Sequence, residues 1–173
     1  MNKFLTLTAE QRGAVFERVG VSVGLPMQAV EKDFWVTVVL QTIFSLPVAQ
    51  HLIFKGGTSL SKAWGIINRF SEDIDLAVNP IYLGAKEGDL TKKQIKKLRK
   101  ASSLFVSEQL TPMLRTRLEE LGLLAFLNVE AQPNGEGDNT YPEPRQIFVR
   151  YQSVFDKPLT YFRPDVLLEV SAR

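Results

Sequence analysis

The sequence predicts an α/β protein, a mixed sheet flanked by helices, and three observations carry that expectation. The segments Glu72 to Val78 and Asp165 to Ser171 alternate apolar and polar residues with the period of a half-buried strand. Stretches before Pro47 and between Lys92 and Gly122 repeat apolar residues at helical spacing. Gly-, Pro-, Asn- and Asp-rich segments separate these elements, and neither an internal repeat nor a convincing linker divides the chain. The 173 residues are enough for one domain with a real core, so a single unit over 1–173 is expected, with N-terminal helices over 1–47 and the sheet with its helices over 48–173.

Composition narrows the class. A hydrophobic content of 45% against 23% charged excludes a disordered tail. The absence of cysteine removes disulfides and thiolate metal sites and suits a reducing cytoplasm, the expected compartment. No run approaches the roughly 20 apolar residues of a bilayer span, so no membrane partner is expected. With 21 basic and 19 acidic residues, a net charge of +2 says little about partners; placement says more.

Taken in order, Thr8 and Gln11 have the form of a capping box, and Ala14, Val15 and Val19 follow at helical spacing. Pro26 suits the first turn of a second helix, with Val30, Phe34, Thr37 and Val38 on one face, running to Phe44 and closed by Pro47. His51 to Phe54 is a short strand entering the turn Gly56-Gly57, and Thr58 to Ile67 a helix. In the acidic strand, Ile74, Leu76 and Val78 point one way and Asp73 and Asp75 the other. Ile95, Leu98, Phe105 and Val106 mark a long helix, kinked or restarted at Thr111-Pro112 and ending by Gly122, with Ile95 and Leu98 facing inward. Leu123 to Ala131 and Arg145 to Gln152 are two strands joined by a loop over Pro133 to Pro144. In the last strand Val166, Leu168 and Val170 share a face opposite Asp165 and Glu169.

Two motifs carry chemistry. Phe54-Lys55-Gly56-Gly57-Thr58-Ser59 puts two glycines at a strand-to-helix junction, where backbone without Cβ can approach a phosphate. A plain tight turn capped by Thr58 accounts equally for that motif alone, and it is not a P-loop. Asp73-Ile74-Asp75 places two carboxylates on one strand face about 6–7 Å apart, fit to share a metal site, although a solvated acidic face also explains an isolated pair. Together they form one compact unit with Lys55, Lys62 and Arg69 interspersed to neutralise triphosphate charge, Ser71 being as suited to a local turn.

Phe54 to Lys62, continued by Arg69-Phe70-Ser71-Glu72-Asp73-Ile74-Asp75-Leu76, resembles the signature of the AbiEii/AbiGii toxin family, nucleotidyltransferases of bacterial toxin–antitoxin and abortive-infection systems. Val30-Glu31-Lys32-Asp33-Phe34-Trp35 is similar to that family's N-terminal helix, so the resemblance covers residues 30 to 80 well and the rest loosely. It implies a polymerase-β-like fold in which Gly57, Thr58 and Ser59 hold phosphate; Lys55, Gly56, Lys62, Arg69 and Ser71, read from the residues themselves, complete the set of phosphate-binding candidates. Asp73 and Asp75 would hold Mg2+ (or Mn2+), and a later strand would supply a third acid. Glu169 is the candidate for that catalytic and metal-binding acid and Asp165 the alternative; a solvated strand carboxylate is an ordinary account of either. The implied reaction moves a nucleoside monophosphate from an NTP to RNA, tRNA above all, or to another hydroxyl, in a toxin with a cognate antitoxin. The rival accounts are a catalytically incomplete nucleotide- or RNA-binding module and a phosphoryl transferase or NTP hydrolase. The resemblance further implies a helical lobe after Arg173 with another lysine near the nucleotide, so the chain reads as a catalytic half lacking that lobe.

Lys92, Lys93, Lys96, Lys97 and Lys100, with Arg99, crowd a short stretch of helix that can track a phosphate backbone or simply be solvated. His51, the only histidine, excludes a histidine metal cluster and a serine–histidine triad. Trp35 and Trp64 are expected as core anchors.

Overall fold

A computed structural model describes residues 2–67, 71–132, 145–156 and 163–172. Helix α1 (Asn2–Leu5) leads into α2 (Ala9–Val23), whose start is fixed by reciprocal bonds between Thr8 and Gln11, as the capping box requires. The buried stripe of α2 is Arg12, Phe16 and Gly20; Val15 and Val19 are exposed, which corrects the expected face. Phe16 decides the matter. It packs against Phe4, Phe34 and Phe155, an aromatic cluster that buries more area than the valines would.

Helix α3 (Met27–Phe44) is enclosed on most of its circumference, since α2 packs on one side and the sheet on the other. It buries Trp35, Val36, Val38, Val39 and Ile43, and also Glu31 and Lys32. A 3-10 turn, Pro47–His51, then delivers the chain to strand β1 (Leu52–Lys55), which passes without a loop into helix α4 (Gly56–Lys62). Strand β2 is Asp73–Val78.

The long helical stretch is broken in two, as expected, but by a π-helical turn. Helix α5 (Lys92–Leu104) is followed by the π turn Phe105–Leu110 and by α6 (Thr111–Glu120). Pro112 has no N–H to offer the preceding turn, and the Thr111 hydroxyl instead reaches back to the Val106 carbonyl at 2.7 Å. Ile95 is 39% exposed, so of the two residues expected to face inward only Leu98 joins the core.

Strands β3 (Leu127–Ala131), β4 (Arg145–Tyr151) and β5 (Asp165–Ser171) complete a five-stranded mixed sheet in the order β1-β2-β5-β4-β3. Only β2 and β5 run parallel; the other neighbours are antiparallel. The loop expected over Pro133 to Pro144 lies outside the described residues. Although last in sequence, β5 is the middle strand, and Val166, Leu168 and Val170 are sealed together with Ile74, Leu76 and Val78 against α3, α5 and α6. The strand acids Asp73, Asp75, Asp165 and Glu169 therefore fall on the other face.

Candidate active site

The parallel pairing of β2 with β5 sets the site. Its register places Asp75 opposite Glu169 and Asp73 opposite Leu167, so Asp73, Asp75 and Glu169 rise from one face of two adjacent strands, spaced about 4.8 Å apart. On the other side of β2, Lys55 stands opposite Asp75. Gly56 follows with φ of 75°, and a Cβ there would fall 1.9 Å from Asp75 Oδ2. Only glycine permits both that backbone angle and that approach. The glycine turn thus lies directly against the acid pair's second carboxylate.

The hydroxyls of α4 look inward. Thr58, fully buried, hydrogen-bonds the Asp73 carbonyl and lies 2.7 Å from the Ser71 hydroxyl. Ser59, buried as well, donates to the Phe54 carbonyl at 3.1 Å. Both therefore fasten the helix to its flanking strands, and what the β1–α4 junction offers outward is Lys55 with the backbone of Gly56 and Gly57. The Lys62 ammonium is engaged by Asp33 at 2.7 Å and by the Thr37 hydroxyl at 3.1 Å. Arg69 lies outside the described residues.

Asp165 sits near the start of β5 on the acid face, 3.9 Å from the Lys32 ammonium, which also grips Glu72 at 2.5 Å. Glu169 accepts a hydrogen bond from the Gln146 side-chain amide at 2.8 Å. Burial raises the Asp73 carboxyl above its ordinary range, and Glu72, Glu169 and Asp75 push in the same direction while Lys32 opposes them. Mutual repulsion of this kind is what a divalent cation would relieve. Among the described residues, however, no group of three or more Asp, Glu or His stands close enough to hold a metal ion unaided. The donor set suits magnesium, which takes one or two carboxylates and completes its shell with water and substrate phosphate.

The lysines 92, 93, 96, 97 and 100 are all exposed on α5, whose Leu98 is anchored in the core behind the sheet. His51 ends the 3-10 turn and stacks on Tyr82 at 4.1 Å. Trp35 is buried, stacked on Tyr151 at 5.8 Å; Trp64 is 70% exposed, contrary to the core position expected for it. Sequence reasoning missed Gln146, Lys32, Asp33 and Glu72. Only Gln146 had a local signal, since the alternation of β4 puts it on a definite face, but the partner across from it is fixed by long-range pairing.

A family model described as "Nucleotidyl transferase AbiEii toxin, Type IV TA system" matches residues 38–173. No curated protein and no solved structure matches the chain. Among the described residues no helix is long and apolar enough to cross a membrane.

Proposed function

Because the chain belongs to the AbiEii nucleotidyl transferase toxin family of type IV toxin–antitoxin systems, we propose that it transfers a nucleoside monophosphate from an NTP to a hydroxyl of RNA, with tRNA the leading acceptor. The family membership makes it a nucleotidyltransferase with a cognate antitoxin. The finer assignment rests on one observation, the packing of Asp75 against Gly56 and opposite Glu169. That contact sets the glycine turn at the start of α4 directly against a row of carboxylates.

Lys55 and the main-chain N–H groups at the start of α4 bind the triphosphate. Asp73 and Asp75, with Glu169 beside them, are the residues that would hold magnesium or manganese, and such an ion, when bound, neutralises the phosphates and acidifies the acceptor hydroxyl. The acceptor oxygen forms a bond to the α-phosphorus as the bond to pyrophosphate breaks. Glu169, oriented by Gln146, takes up the hydroxyl proton. No covalent protein intermediate is required. The lysine face of α5 binds the RNA backbone.

The test is to incubate the full chain with each labelled NTP, magnesium and total tRNA. Labelled RNA with stoichiometric pyrophosphate is expected. Free NMP or NDP without labelled RNA would instead identify a hydrolase or phosphoryl transferase, and binding without turnover an incomplete module.

A further inference from the structure

We propose that Glu31, Lys32 and Asp33 of α3 are positioning residues, a charged brace that sets the glycine turn and the acid strands in register with one another; this rests on the site assignment above. Consecutive residues on a helix point about 100° apart, so three in a row can reach three different segments. Here they do. Glu31 accepts from the Ser153 hydroxyl at 2.6 Å and the Val154 N–H at 2.9 Å, holding the chain just after β4, the strand of Gln146. Lys32 holds Glu72 and Asp165, which stand at the leading ends of β2 and β5. Asp33 holds Lys62 at the far end of α4, the helix that begins at Gly56. The glycine-turn helix α4 and the strands β2, β4 and β5 are thereby tied to one turn of α3.

Burial separates the Glu31 and Lys32 arms of this brace from an ordinary surface network, while the Asp33–Lys62 arm is more open. Glu31 is 1% and Lys32 4% exposed, and well-packed apolar residues generally stabilise a core at least as well as a buried ion pair does. Stability alone therefore does not account for these charges, whereas fixing a relative position does. A consequence concerns Lys62, whose charge serves Asp33 and Thr37 and is not directed at nucleotide phosphate.

The experiment compares Lys32→Met, Glu72→Met and the double variant, with Lys62→Met and Asp33→Asn in parallel, in the full chain. Unfolding, Mn2+-ATP affinity and single-turnover transfer are measured for each. The brace predicts that the double Met variant regains parental Tm while its transfer rate stays at least about tenfold low, since an apolar pair packs but does not aim. It also predicts that Lys62→Met and Asp33→Asn lower the rate equally, with nucleotide affinity within about threefold of the parent. Recovery of both Tm and rate in the double variant would overturn the proposal, as would a large loss of nucleotide affinity in Lys62→Met alone, which would make Lys62 a phosphate ligand. A parent that binds Mn2+-ATP but transfers nothing defeats the transferase assignment, and the brace is then judged by affinity: a loss of about tenfold in the stably folded double variant supports it and an unchanged value overturns it. A parent that binds no nucleotide overturns both.

Discussion

The two faces of the sheet are built from alternate residues of the same strands and live under different rules. On one, Ile74, Leu76, Val166 and Leu168 are sealed from solvent in the apolar core. On the other, one residue along, Asp73, Asp75 and Glu169 are left partly open, and the other two carboxylates push the Asp73 pKa up. The first face is packed for stability and the second carries an electrostatic cost that Lys32 offsets only in part. The difference teaches that the same backbone register can serve both purposes, since the pleat separates them completely.

The sharpest way to break the comparison is at the acids. Asp73→Asn and Asp75→Asn should each reduce transfer by more than roughly a hundredfold, the upper effect of losing even an indirect metal contact, with circular dichroism unchanged. Near-parental activity in either would remove the acid face from the mechanism. Ile74→Ala and Leu168→Ala should do the reverse, costing about 2–5 kcal/mol in denaturant unfolding while the folded fraction keeps its specific activity. Gly56→Ala should damage both properties, and Gly122→Ala is its control: the second glycine has φ of 69° but nothing within 4 Å of an added Cβ. The control should lose about 1 kcal/mol, the left-handed backbone cost, and keep its activity.

Smaller effects refine the picture. Reversing Lys93, Lys96 and Lys97 to Glu should weaken RNA binding and flatten its salt dependence while sparing NTP affinity. Equal salt slopes in mutant and parent would assign these lysines to solvation. The smallest effect is on stability at Asp73. Its raised carboxyl pKa means that the folded state retains a proton that the unfolded chain has released. Stability is therefore lost as pH rises from the ordinary aspartate value through the raised one. Asp73→Asn removes that loss, so a slight rise in Tm is expected at about pH 7 and none at about pH 3.

Much of the fold was legible because it is local. Period-two alternation located β2 and β5 to within a residue, and a capping box fixed the start of α2. The acid pair and the glycine turn were visible for the same reason. The parallel partnership that sets Asp75 against Glu169 was not, because the two residues are far apart in sequence and nothing in either strand encodes which neighbour it takes. Buried charges were not legible either. Glu31, Lys32 and Arg12 are all buried, the first two by specific partners and Arg12 by stacking over Phe126 at 4.9 Å, and those partners lie far away in sequence. Trp64 shows the opposite error, since a large aromatic ring in a helical pattern turns out to stand in water.

That last residue gives the protein an optical label of its own. Its two tryptophans occupy opposite surroundings, Trp35 3% exposed in the core and Trp64 70% exposed two residues beyond α4. Their emission should separate accordingly. Trp35 should emit to the blue and be shielded from iodide, and Trp64 should emit to the red and be open to it, which iodide quenching of the two single-tryptophan variants checks. In a Trp35→Phe variant the remaining signal comes from the end of the helix that starts at the glycine turn, so ligand arrival there can be followed in real time without a dye. In Trp64→Phe the surviving signal reports only whether the core is intact.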